Sequence, residues 1–289
     1  MSLKIKNSAK VFNGISNALT YALLIVLGVL WVLPIGYLIY TAFRLTPSTG
    51  IINTLFPDGL RLGFENFIRL FRDTMFSKWL INTLFVSVCS CALTTAFILM
   101  VSYAFSRMRF KLRKPLMNVL LVLGMFPGFM SMIAVYFILK AMGLTNSLFA
   151  LILVYSGSGA LSYYICKGFF DTVPKAMEEA AILDGANQPT VFWKIIMPMA
   201  KPIIVYTILT SFIAPWCDFI FVNTIISDRT KYTVSLGLYK MINAEKNSFN
   251  DNFTVFCAGA FVVGAIIVTL FMSMQKYYVE GVTSGAVKG

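Results

Sequence analysis

The sequence contains no histidine, which removes the side chain most used as a general base and as a metal ligand near neutral pH. Charge is scarce too: 12% of the 289 residues are Asp, Glu, Lys or Arg, against roughly 25% in ordinary soluble domains. Acids are the scarcer sign, 12 against 24 basic residues. The apolar runs hold no carboxylate pair, so neither acid–base catalysis nor a relay of intramembrane acids is indicated. Cysteine is confined to Cys89, Cys91, Cys166, Cys217 and Cys257, all in or at the ends of apolar stretches. Their spacing suits neither a zinc site nor a disulfide framework, and buried membrane thiols are expected.

Hydrocarbon is what the chain has in excess, with 58% hydrophobic residues and a mean hydropathy of +0.78. This is the composition of an integral membrane protein. A net charge of +12 would suggest nucleic acid in a soluble domain. Here the basic residues lie between apolar segments and read as topology signals, so membrane lipid is the expected partner and nucleic acid is not.

Six charge-poor runs follow one another, giving expected spans at about 15–43, 79–106, 115–139, 147–167, 202–223 and 253–275. The first follows Lys4, Lys6 and Lys10 and is too long for a cleavable signal, so it reads as a retained helix, with Pro34 and Gly36 kinking it. Phe64, Phe67, Ile68 and Phe71 recur at helical spacing between the first two spans and predict a short interfacial helix. The second span ends in Arg107 to Lys114, RMRFKLRK, with five basic residues and no acid. The third is interrupted by Phe126-Pro127-Gly128, and the fourth contains Gly157-Ser158-Gly159, read as a small-residue packing surface. Asp218 is the one charge of the fifth. A polar segment, Ser227 to Asp251, precedes the sixth. The basic clusters place the N-terminus and Arg107 to Lys114 in the cytosol, and alternation puts the C-terminus there too. There is no internal repeat of the kind that builds secondary transporters.

Between spans four and five lies Thr172 to Pro198, TVPKAMEEAAILDGANQPTVFWKIIMP, a polar island with placed alanines, glycine and prolines. Thr172 is expected to cap a helix over about 173–184, with Pro174 in its first turn and Glu178 and Glu179 complementing its positive end. Gly185 supplies a left-handed turn, and Asn187 caps a second short helix running through Trp193 before Pro198. Ala176, Ala180 and Ala181 leave the first helix with little bulk, so another protein can approach its backbone. A surface-lying amphipathic helix is the plainer alternative.

Glu179-Ala180-Ala181, three residues, Gly185, nine residues, Ile195, one residue, Met197-Pro198 resembles the EAA loop of ABC importer permeases, with Met197 where leucine is usual. Tyr103 to Arg107, Gly143-Leu144, Gly168-Phe169-Phe170, Glu179 to Ala186 and the tail from Gln275 to Gly289 resemble the carbohydrate-uptake branch, in particular the smaller membrane subunit of maltose and maltodextrin importers.

The resemblance implies an all-α integral membrane protein of six transmembrane helices, a single permease domain over 1–289 with the type I ABC importer fold. A coupling elbow would occupy 172–198 and a cytoplasmic tail 276–289. Its function would be uptake of an oligosaccharide by alternating access in the bacterial plasma membrane. Implied partners are a second permease in a heterodimer, two cytosolic ATPases that hold ATP and Mg, and an extracytoplasmic solute-binding protein that faces Ser227 to Asp251. The chain carries no Walker motif, so no cofactor and no ATP hydrolysis of its own are expected. Glu178, Glu179, Ala180, Ala181, Asp184, Gly185 and Ala186 would couple to the ATPase, and Gly281, Thr283, Gly285 and Lys288 would face it from the tail. Asp218 is the candidate for the solute pathway, with Tyr155, Trp216 and Phe219 as aromatics able to stack on a sugar or simply to sit at the membrane interface. Other solutes of the branch, such as glycerol phosphate, a uronic-acid oligomer or a host glycan, stay open, as does a non-transporting membrane scaffold.

Overall fold

A computed structural model describes residues 2–45, 61–125, 128–243 and 248–286. The charge-free runs form helices because a backbone in hydrocarbon must satisfy its polar groups internally. Three helices are long and apolar enough to cross a membrane alone: the Asn17–Phe43 part of α1 (Ser2–Phe43), α3 (Phe76–Arg107) and the Asn252–Lys276 part of α14 (Ser248–Ala286). Three pairs make further spans if each pair counts as one: α4 (Arg113–Met125) with α5 (Gly128–Ala141), α6 (Leu148–Gly157) with α7 (Ala160–Thr172), and the helical segment Gln188–Met199 with α11 (Lys201–Cys217).

α3 is the central pillar, packing against α6, α7, α11 and α13 (Val234–Asn243). α1 runs unbroken through Pro34 and meets the body only near its end, where α14 and α2 (Glu65–Asp73) pack on it. Phe43, Phe67 and Phe261 cluster there with ring centroids 5.0 to 5.9 Å apart. Asn66 fixes the corner by donating to the carbonyls of Ala42 (3.0 Å) and Arg44 (2.7 Å). On α2 the buried residues are Asn66 and Leu70, while Phe64, Ile68 and Phe71 are exposed.

The small residues of span four break the helix instead of packing it. Gly159 sits at φ +128°, a backbone that L side chains rarely adopt, and α6 and α7 meet at 43°. Span five also ends early: Asp218 is extended (φ −88°, ψ 108°), and α12 (Ile220–Ile225) starts beyond it. Of the five thiols, Cys91, Cys166 and Cys257 are buried as expected, whereas Cys89 is half-buried and Cys217 exposed.

Ser227 to Asp251 is not a polar loop in its described part. A 3-10 turn, Arg229–Lys231, leads into α13, whose Val234, Leu236, Gly237 and Leu238 are buried. α3 holds this segment directly: Trp79 Nε1 donates to Arg229 O (3.0 Å), and Asn82 Nδ2 donates to Thr230 O (2.9 Å) and Tyr232 O (3.0 Å). Asn146, in the left-handed region at φ 59°, accepts from the backbone N–H groups of Ser227 and Asp228. The turn between α5 and α6 and the segment before α13 are thereby one assembly.

Candidate functional site

α8 (Lys175–Leu183) follows α7 after the two residues Val173 and Pro174. Thr172 does not cap it; it ends α7, and its hydroxyl donates back to Phe169 O (2.7 Å). The cap position belongs to Pro174, extended at ψ 126°. The other end closes as a Schellman turn: Ala186 N–H donates to Ala181 O (2.9 Å), Gly185 N–H donates to Ile182 O (3.0 Å), and Gly185 has φ +87°. Asn187 then accepts from Thr190 N–H (3.0 Å). The second helix runs past the expected end, because α9 (Gln188–Thr190), a π-helical stretch Val191–Ile196 and α10 (Met197–Met199) are continuous. It bends by 82° into α11 at Ala200.

The phase of α8 sorts its residues into two faces. Ala181 packs inward in a core with Tyr103, Phe170, Val173, Val191, Phe192 and Ile196. It therefore does not offer bare backbone to a partner, as its small size had suggested. Glu178 also faces inward, where its Oε1 lies 2.7 Å from Arg107 Nε in an ion pair whose angle falls short of a hydrogen bond. Arg107 Nη2 donates to Val173 O (2.7 Å), so one guanidinium holds both sides of the α7–α8 junction. Nearby, Ser106 donates to Asp171 (2.6 Å), which also pairs with Lys167. Burial raises the Glu178 pKa above the ordinary carboxylate range, and Arg107 opposes this.

The opposite face carries Ala176, Glu179, Ala180 and Leu183, all exposed, with Leu183 at 88%. Asp184 is exposed and Ala186 half-buried at the turn. A cleft of about 520 Å³ opens beside the Arg107–Glu178 pair, lined by Met108 and Arg109 on one side and by Lys175 and Glu179 of this helix on the other. This face thus exposes together one carboxylate, one large apolar side chain and two alanines that leave the backbone closely approachable.

The four pathway candidates are only partly brought together. Tyr155 donates to Asp218 Oδ2 (3.0 Å), and Asp218 Oδ1 accepts from Phe221 N–H (3.0 Å), so the carboxylate ties α6 to the start of α12. Phe219 stacks on Tyr239 with centroids 4.6 Å apart. Trp216 is buried beside Phe212 (5.8 Å) and presents no open ring face. In the tail, α14 stays helical through Gly281, Thr283 and Gly285, and Lys288 lies outside the described residues. Among the described residues no group of three or more His, Cys, Asp or Glu is placed to hold a metal ion.

Residues 92–283, which include the whole elbow, match the family described as binding-protein-dependent transport system inner membrane component. The chain belongs to that family. The permease is 32% identical over 287 residues to the maltodextrin transport system permease protein MalD of Streptococcus pneumoniae, covering 99% of this chain and 100% of that one. It is 30% identical over 275 residues to the galactooligosaccharides transport system permease protein GanQ of Bacillus subtilis, covering 93% and 95%. Its fold is similar to a chain in the crystal structure of a bacterial ABC transporter involved in the import of the acidic polysaccharide alginate. The TM-score is 0.75 at 22% identity, covering 91% of the permease and 96% of that chain. The fold is thus the helical one of ABC importer permeases, and the protein is a multi-pass membrane protein.

Two residues of the permease escape a reading of the sequence. Arg107 looks like one more member of a basic run, and nothing local says that it turns inward to a glutamate on another helix. Leu183 ends a mixed stretch, and only the phase of the folded α8 shows that it points outward.

Proposed function

We propose that this permease is one of two membrane subunits of an ATP-driven importer that takes up an oligosaccharide by alternating access. The observation that carries the reading is the outward face of α8, where Glu179 and Leu183 flank Ala176 and Ala180 at the foot of a helix turn fixed by Gly185. In this reading the face seats in a cytosolic ATPase, with Glu179 opposite a basic residue there. ATP and Mg belong to the two ATPases, and this chain neither binds a cofactor nor hydrolyses ATP. The elbow, the tail with Gly281, Thr283, Gly285 and Lys288, and both termini lie in the cytosol. The assembly of Asn146 with Ser227 to Lys231 and α13 faces the solute-binding protein outside. Support for an oligosaccharide comes from relatives named for maltodextrin and galactooligosaccharides that match nearly the full chain.

The test is reconstitution of the permease with its membrane partner, ATPase and binding protein in proteoliposomes. ATP hydrolysis stimulated by a neutral oligosaccharide together with its accumulation supports the reading. Stimulation by a phosphorylated solute alone would move the permease to another solute of the branch. ATPase binding with no stimulation by any solute would make it a scaffold.

A further inference from the structure

A cavity of about 180 Å³ lies beside the break between α6 and α7, and its wall carries the hydroxyls of Thr94, Ser158, Ser162, Thr210 and Ser211. A neighbouring cavity of about 430 Å³ shares Tyr155 and Ser158 with it and reaches Asp218. The elbow, which lies outside these spans, gives no reason for so many hydroxyls on one wall.

The direction of the hydrogen bonds decides what this wall offers. Ser158 donates to Val154 O (2.7 Å), Thr210 to Tyr206 O (2.9 Å), Ser211 to Thr207 O, and Thr94 to Tyr155 O across helices (3.2 Å). A hydroxyl has one proton to give and two lone pairs. With the protons used on the backbone, these four oxygens remain as acceptors. The carboxylate of the adjoining cavity, Asp218, is an acceptor as well and is already engaged by Tyr155 O–H and Phe221 N–H. Among the described residues lining the two cavities there is no lysine or arginine.

A wall on which four of five hydroxyls can only accept, and which holds no cation, fits a ligand that brings donors, as the many O–H groups of a neutral sugar do. It misfits a phosphate or a uronate, whose charged groups bring only lone pairs and would meet oxygens with no compensating charge. We infer that this hydroxyl-lined cavity is a solute-contacting site of the permease and that it favours uncharged polyhydroxylated solutes over acidic ones. The inference rests on the transport reading above and adds the residues and the chemistry that select the solute.

The reconstituted complex tests it with three probes: maltotriose, galactotriose and an alginate trimer. The double variant Thr210→Val, Ser211→Ala removes two acceptors at nearly constant volume. It should lower uptake of the neutral trisaccharide at limiting concentration by about 25-fold, since each net hydrogen bond is worth about a factor of five. Binding of the ATPases should be unchanged. In a Cys217→Ser background, Ser162→Cys should react with a small thiol reagent and be protected by the neutral trisaccharide but not by the alginate trimer. Wild-type uptake with an unchanged double variant and no protection at Ser162→Cys would overturn the site. Uptake or protection by the alginate trimer equal to that of the neutral probes would overturn the selectivity. Absence of uptake and of ATPase stimulation by every probe in the wild type would instead remove the transport reading, and this inference with it.

Discussion

Arg107 Nε lies 2.7 Å from Glu178 Oε1, and the two side chains are only 5% and 12% exposed. The pair joins the end of α3 to the helix of the elbow, with Val173 O held by the same guanidinium at 2.7 Å. A charge pair this far from solvent is costly to create and more costly to break on one side. Arg107 is accordingly a positioning residue: it fixes the angle at which α8 leaves the body.

Arg107→Met should therefore destabilise the protein by about 3–5 kcal/mol, because it strands the Glu178 carboxyl. The double variant Arg107→Met, Glu178→Leu should recover most of that loss. Thermal unfolding of purified protein in detergent gives the double-mutant cycle. Equal losses in the single and double variants would show that the pair is not the source.

The same carboxyl sets a pH dependence. Burial holds its pKa above the ordinary range, with Arg107 working against the shift. A carboxyl whose folded pKa exceeds the unfolded value stabilises the fold below the unfolded value, about 4.3, and loses that contribution as pH rises through the folded value. Glu178→Gln should accordingly become more protected relative to the wild type as pH rises from about 4 toward neutrality. Hydrogen exchange of residues 175–186, corrected for intrinsic rates, reads this out. A relative change of the opposite sign would contradict the assignment.

Glu179 and Gly185 should fail for different reasons. Glu179→Lys changes an exposed side chain, so melting should be unchanged while ATPase binding falls, since like charges across an interface repel. An acidic substitution on the ATPase should restore it. Gly185→Val forces a β-branched residue to φ +87°, at a cost of about 1–2 kcal/mol. No substitution on the partner should rescue that loss, whereas Gly185→Asn should be milder. Pull-down of the ATPase together with melting temperatures separates the two cases. Full ATPase binding by Glu179→Lys would remove the carboxylate from the interface.

Gly237 is a packing requirement. A Cβ there would lie 2.2 Å from the Trp79 ring, and Trp79 also donates to Arg229 O. Gly237→Ala should cost about 1–3 kcal/mol by overpacking. A shift in tryptophan fluorescence should accompany it, because the indole must move. Unchanged melting and emission would mean that α13 can slide away from α3 at little cost.

The class of the protein and the form of its elbow were legible in the sequence because both depend on neighbours within a few residues. Long charge-free runs must become helices in hydrocarbon, and Gly185 and Asn187 end one helix and begin another through their own backbone and side-chain geometry. Partners across the fold were not legible. Glu178 and Glu179 are adjacent, yet a helix turns about 100° per residue, so one reaches the buried Arg107 and the other faces outward. Ala181, read as an open docking surface, is core for the same reason. Asp218 finds Tyr155, and Gly237 finds Trp79, through contacts between distant segments that no local pattern encodes. Local propensity thus set which segments are helices and where they turn, while the packing of α3 against its neighbours decided which side chains meet.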